Sequence, residues 1–342
     1  MQINGILFNL YGPVSTNVLL ITPYSFTKYG GVQNQVNLIE DYLDKHSEFN
    51  VKVFAHGKIE ILRNEKIFNI PFNSSVSSVM LFPNRKILKE HIMWADVIHV
   101  HEPFVPIIFW RIPKNKKYVF THHASLNQVV VFLLKTIYKL FTFNSMSTYV
   151  SDEAKSNALA LSQSSELIPN MIEINNDASF SKSNGFLFIG RDEKRKNIKF
   201  FKMLSIKDAF KNSKFIAITN KILDTNNIVS YVNPTNDEKN QIFKKTNIYL
   251  ALNTKSESFG ITILEAVNNG NLAVTSSLDA FINVLKDSHV TFINNNFSSL
   301  QEVLLNLSKN KLSDLWEKQF NEIKKYDLLK NMEKFIYIYS KL

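Results

Sequence analysis

Asn17-Val18-Leu19-Leu20-Ile21-Thr22-Pro23-Tyr24-Ser25-Phe26, closed by Gly30-Gly31-Val32-Gln33, is the stretch that decides the fold. Val18 to Ile21 is an unbroken apolar run, the mark of a strand buried on both faces of a sheet. Thr22 to Gly31 is a loop. Val32, Val36, Ile39 and Leu43 then recur at helical spacing on one face. Strand, glycine-bearing loop and helix form the first half of a βαβ unit.

Working outward, the same alternation continues to the end of the chain. Val51–Ala55, Asp96–Val100, Tyr118–Thr121 and Thr148–Val150 extend a first parallel sheet. Asn170–Gly185 is dense in Asn, Ser and Asp and reads as a linker. Phe186–Ile189, Phe215–Ile218, Ile228–Val232, Ile248–Leu252 and Leu272–Thr275 make a second sheet, and the tail from Ser313 is helical. A length of 342 residues suits two domains. The expected class is α/β: two facing Rossmann-like domains, with ligands beyond the carboxyl ends of the strands in a cleft between them. The expected boundaries are 1–170 and 171–326, with residues 1–16 as an extension and a helix at about 327–342 packing back on the first domain.

Composition removes several function classes. There is no cysteine, so disulfides, thiolate nucleophiles and cysteine metal sites are out. The net charge of +10 divides evenly, because residues 1–165 carry 16 basic and 11 acidic side chains and 166–342 carry 24 and 19. Neither half is a basic arm and no nucleic-acid motif is present, so nucleic acid is not an expected partner. Met1 to Ser15 lacks a basic leader and a small-residue cleavage site, and the longest apolar run, Val129–Leu134, is far too short to span a bilayer. A cytoplasmic protein resting on a membrane is expected.

The loops at the strand ends resemble one family. Pro23-Tyr24-Ser25-Phe26 with Gly30-Gly31-Val32-Gln33, Ile70-Pro71-Phe72-Asn73, His99-Val100-His101-Glu102-Pro103, Thr121-His122 and Ile168-Pro169-Asn170 follow one another in order. Gly190-Arg191, Arg195-Lys196, Glu257-Ser258-Phe259-Gly260 with Glu265, and Leu278-Asp279-Ala280-Phe281 complete the series. Over roughly 17–342 the chain is similar to glycosyltransferase family four, closest to its phosphatidylinositol mannosyltransferase branch. The resemblance implies the GT-B fold, retention of anomeric configuration and a nucleotide-sugar donor. It points to GDP-mannose, with no metal and no further cofactor.

Transfer from a nucleotide-sugar releases a diphosphate, so the site must stabilise negative charge on phosphate oxygens. The resemblance gives that task to Arg191 and Lys196, with Arg195 a lesser candidate. It places Glu257 on the donor sugar's hydroxyls and Glu265 on the ribose, roles suited to groups that only accept hydrogen bonds. Phe259, Gly260 and Ile261, at a helix start, turn backbone N–H groups toward the donor. Gly30 and Gly31 let the backbone approach it closely. His122 is expected near the transferred sugar, with His123 leaving the register open. Together, His122, Arg191, Lys196 and Glu257 form the expected catalytic set.

For the acceptor, the resemblance implies an inositol phospholipid bound by Tyr24, Gln33 and Asn73. Ser78 stands where the family has an arginine, which leaves other lipid or polysaccharide acceptors and other donors as rivals. A catalytically inactive GT-B binding module is a further alternative. Arg85, Lys86 and Lys89 interleave with Ile87, Leu88, Ile92, Met93 and Trp94. This is a pattern for an anionic membrane surface, or for an ordinary helix packed on a sheet. Val129–Phe141 is a second candidate contact.

Overall fold

The computed structural model describes residues 15–342 except 29, 73–74, 105–111, 125, 127–130, 133–143, 163, 256, 258 and 308–310. Asn73, Ser258, nearly all of the 1–16 extension and most of Val129–Phe141 therefore lie outside the described residues. The chain divides into two compact units. One holds most of residues 15–171 with Asn331–Leu342, and the other holds Ile172–Lys330.

In the first unit, β1 (Thr16–Ile21) leads through the Gly30 turn into α1 (Gly31–Asp44), then β2 (Phe49–Phe54). Next come β3 (Ile67–Phe72), β4 (Ser75–Met80) and α2 (Arg85–Trp94). They are followed by β5 (Val97–His101), β6 (Lys117–His122), β7 (Asn144–Tyr149), α3 (Lys155–Leu161) and β8 (Ser165–Leu167). The sheet runs β2-β1-β5-β6-β7-β8, all parallel, while β3 and β4 pair separately. Val18, Leu19, Leu20 and Ile21 are fully buried, as the opening run requires. α1 buries Val36, Ile39 and Leu43, three of the four positions whose spacing predicted it.

The second unit contains β9 (Gly185–Ile189), α4 (Ile198–Ser205), β10 (Lys214–Thr219), β11 (Val229–Val232), α5 (Asn236–Phe243) and β12 (Ile248–Ala251). It continues with α6 (Ile261–Asn268), β13 (Leu272–Ser276), α7 (Asp279–Leu285), β14 (Thr291–Phe292), α8 (Phe297–Leu307) and α9 (Leu312–Ile323). Its parallel sheet runs β11-β10-β9-β12-β13-β14, the Rossmann order in which the chain reverses direction across the sheet between β9 and β12. A core of phenylalanines, among them Phe188, Phe201, Phe215 and Phe243, packs helices on the strands. In the first unit the corresponding reversal lies between β1 and β5. Ligands of such sheets bind at these reversal points, beyond the carboxyl ends of the flanking strands.

The C-terminal helix, α10 (Leu328–Lys341), ends in the first unit: Tyr339 meets His99 Nδ1 at 2.8 Å and Phe335 lies on the His99 ring.

Candidate functional site

In the second unit the reversal point is built by the loops after β9 and β12. Gly190 directly follows β9, and a Cβ there would press on the Lys196 stem at 3.2 Å. The glycine thus leaves the lysine a path back over the strand end. Lys194–Lys196 form a single 3-10 turn that stops at Asn197, whose backbone is left-handed. The turn delivers Lys196 Nζ to Glu257 Oε2 at 2.9 Å and Arg195 Nη1 to the same oxygen at 3.7 Å. Asn253 Nδ2 donates to that oxygen at 2.5 Å. Burial by itself raises the Glu257 carboxyl, but Lys196, Arg195 and Asn253 outweigh it and hold the group below its ordinary range. The Glu257 loop is tied to this turn, since Thr254 N donates to Arg195 O at 2.8 Å.

Arg195, the lesser candidate in the sequence, is deeply placed. Its side chain is 10% exposed and its Nε donates to Glu193 Oε2 at 2.9 Å. Arg191, 45% exposed, reaches Glu193 Oε1 at 3.3 Å. Gly260 caps α6 with φ +92, a left-handed conformation open to glycine, and a Cβ would also crowd the Phe281 ring at 3.0 Å. Phe259 is buried edge-on against Tyr326, and Ile261 opens the helix. One turn later Glu265 Oε2 accepts from Lys239 Nζ of α5 at 2.6 Å. Lys239, the partner of a candidate site residue, was not singled out in the sequence, because nothing in a polar eight-residue helix marks one lysine over another.

The first unit assembles a different set. Gln33 and Gly30 form one device: the Gln33 side chain lies across Gly30, where a Cβ would collide with its Oε1, and Nε2 donates to Ser25 O at 3.0 Å and Lys28 O at 3.3 Å. Gln33 therefore closes the loop on itself, with its donors spent on loop carbonyls. Gly31 is the exposed first residue of α1. Ser25 is locked to His56: His56 Nε2–H donates to Arg63 O at 3.2 Å, so Nδ1 accepts the Ser25 hydroxyl at 2.7 Å. Tyr24 is buried, and its hydroxyl is pushed well above its ordinary value by burial and by the neighbouring Glu102 charge. Ser78 is buried and donates to Asn69 Oδ1 at 2.7 Å, an oxygen that also accepts from Lys28 Nζ at 3.2 Å.

Beside these lies a buried histidine cluster at the ends of β5 and β6. His99 and His101 share a face, as alternation on one strand requires, with rings stacked at 4.3 Å. His101 Nδ1 meets His123 Nε2 at 2.9 Å. His122 is fully buried under the Phe104 ring, and neither of its ring nitrogens has a hydrogen-bond partner among the described residues. Burial, with the neighbouring His123, holds His122 down to about 3, and burial holds His123 to about 4. Both rings are neutral at physiological pH. Among the described residues no group of acidic and histidine side chains could hold a metal ion.

The packing of α2 is visible in the structure. Leu88 and Ile92 are buried in the core under the sheet, with Ile87 and Trp94 packed beside them. Its apolar face is thus inside the protein. Arg85, Lys86 and Lys89 remain exposed, near-neighbours in sequence of the exposed Met93 and Phe82. No helix of the described residues is long and apolar enough to cross a membrane.

In sequence and fold the chain is similar to known glycosyltransferases. The chain is 26% identical over 308 residues to a phosphatidyl-myo-inositol mannosyltransferase of Mycobacterium tuberculosis, covering 79% of this chain and 80% of that protein. Among solved structures, a glycosyltransferase from Rickettsia africae superposes with a TM-score of 0.70 at 14% identity, covering 96% of this chain and 98% of that one. Anabaena HepE, solved with UDP-glucose, also gives 0.70 at 14% identity, covering 95% and 100%. No protein-family profile matches the chain. The fold expected from the sequence, GT-B, is the fold these structures share with the chain.

Proposed function

We propose that this chain, a family-four-like glycosyltransferase of the GT-B fold, moves mannose from GDP-mannose to the inositol headgroup of phosphatidylinositol. The transfer keeps the anomeric configuration and takes place at the cytoplasmic face of an anionic membrane. The observation that carries the reading is the Lys196–Glu257 contact with Arg195 beside it, at the point where the second sheet reverses. Cations held in place before the substrate arrives need no reorganisation when charge develops on the leaving diphosphate. Lys196, Arg195 and Arg191 receive that charge. Glu257, kept ionised by its cations, accepts the donor sugar's hydroxyls, and Glu265, anchored by Lys239, accepts those of the ribose. As the sugar–phosphate bond breaks, the acceptor oxygen bonds to the anomeric carbon on the same face. Its proton passes to the leaving phosphate.

A second reading keeps the fold and the donor site and changes the acceptor or the donor. Ser78 favours it, because its hydroxyl is spent on Asn69 and it brings no charge to the position where the family has a cation.

A nucleotide panel tests the donor. A ligand that binds the native state alone raises the melting temperature, and a ligand at a hundredfold its Kd adds about 2.7 kcal/mol. GDP-mannose is expected to protect the wild type and to lose most of that protection in Glu265→Ala. Protection by UDP-sugars and not by GDP-mannose contradicts the donor assignment.

A further inference from the structure

We propose that Glu102 is a positioning residue: its ionised carboxylate clamps the turn after β6 and thereby sets the pose of His122. This inference rests on the proposed transfer reaction and on the expectation that His122 lies near the transferred sugar.

The parallel ladder between β5 and β6 explains the clamp. His101 pairs with Thr121, and Glu102 N donates to Thr121 O at 2.9 Å, the next rung. The following donor, His123 N, would ordinarily go to the Glu102 carbonyl. Instead the chain turns at Glu102 with φ +57, a left-handed conformation that is uncommon for a residue with a Cβ. The backbone acceptor swings away and the side chain replaces it: Glu102 Oε1 accepts from both His123 N and, at 2.7 Å, Ala124 N. Such a strained residue persists only where its surroundings over-determine it, and these sites gather at functional centres. The turn it holds begins at His122, whose two ring nitrogens are buried and unsatisfied. Among the described residues the ring packs against Phe104 and makes no hydrogen bond, so no polar contact fixes it and the backbone at the turn governs where it points.

Charge matters to this clamp because a carboxylate accepts two N–H groups far better than a neutral acid does. Burial raises the Glu102 carboxyl to about 7, against the pull of the His123 and Ala124 amides. The other titratable groups around it stay neutral through this range. They are Tyr24 from the loop after β1, His99 and His101 on β5, His122 at the end of β6 and His123 just after it. Raising the pH through 7 therefore charges Glu102 and tightens the turn, and lowering it releases the turn.

The test compares wild type with Glu102→Gln, which keeps the shape and the acceptor oxygen but cannot ionise. Transfer from GDP-mannose to phosphatidylinositol vesicles is followed from pH 5.5 to 8.5, and the backbone amide signals of His123 and Ala124 are followed by NMR on labelled full-length protein. In wild type the rate is expected to rise about tenfold with a midpoint near 7, and both amide signals to move with the same midpoint. In Glu102→Gln the rate should be low and flat, with no amide titration. Amide signals that ignore pH in wild type, or an acid limb that survives in Glu102→Gln, overturns the inference. Amides that titrate in a wild type making no lipid product uphold the clamp and defeat the acceptor reading instead.

Discussion

Lys196→Ala should lower the transfer rate by about 10²–10³-fold, near 2.7–4 kcal/mol of lost transition-state stabilisation, the usual cost of deleting one preorganised charge-stabilising group. The loss should fall on kcat, because charge on the diphosphate grows as the sugar departs. Folding should survive, since Glu257 retains Arg195 at 3.7 Å and Asn253 at 2.5 Å and is not left alone in a buried site. Glu257→Gln is expected to cost at least about tenfold, roughly 1.4 kcal/mol, through the sugar hydroxyls. The pH profile separates this pair from Glu102. The carboxyl of Glu257 is held below its ordinary range, so it stays ionised through neutrality and contributes no limb near pH 7. Steady-state kinetics with melting curves on each variant checks this. Wild-type turnover in folded Lys196→Ala would remove the lysine from the chemistry.

Changing Arg85, Lys86 and Lys89 together to Ser should weaken binding to anionic vesicles by about a hundredfold. Each cation near an anionic bilayer contributes about 1 kcal/mol, and attraction decays within a Debye length of about 10 Å at 0.1 M salt. Because Leu88 and Ile92 are committed to the core, α2 brings charge rather than buried apolar area to the bilayer, and raised salt should mimic the triple variant. Donor protection should be unchanged, as Arg191 and Lys196 belong to the other unit. Co-sedimentation with anionic and neutral vesicles decides it. Salt-insensitive, unaltered sedimentation means the three residues are an ordinary solvated face, and a soluble acceptor then fits better.

The case of α2 shows where sequence reading runs out. An amphipathic helix with basic residues has the same pattern whether its apolar face meets lipid or a sheet, and only packing distinguishes them. Strongly apolar strands such as β1 and β9 were legible because unbroken runs leave no other economical reading. β7 was read only from Thr148, four residues late, because Asn144-Ser145-Met146-Ser147 is polar, yet Ser147 is fully buried beside β6. β3 and β4 were missed since Pro71 and the run of serines break alternation, and β8 and β14 are three and two residues long, too short to show a period. The residues from Gly190 to Lys196 and from Glu257 to Glu265 stand out in the sequence because their spacing is local, and the structure brings Lys196, Arg195 and Glu257 together. Glu102 was named in its motif, but its partners lie 21 and 22 residues away, in the turn that follows the neighbouring strand. That contact exists only once the sheet has formed.

The most direct measurement is the product itself. Purified protein is incubated with GDP-mannose and, in parallel, UDP-sugars over phosphatidylinositol vesicles, and the lipids are read by mass spectrometry with the new linkage assigned by NMR. The account predicts one added hexose on phosphatidylinositol, from GDP-mannose alone, in the α configuration. A lipid product formed only from a UDP-sugar, a β linkage, or GDP-mannose turnover with phosphatidylinositol untouched would contradict it.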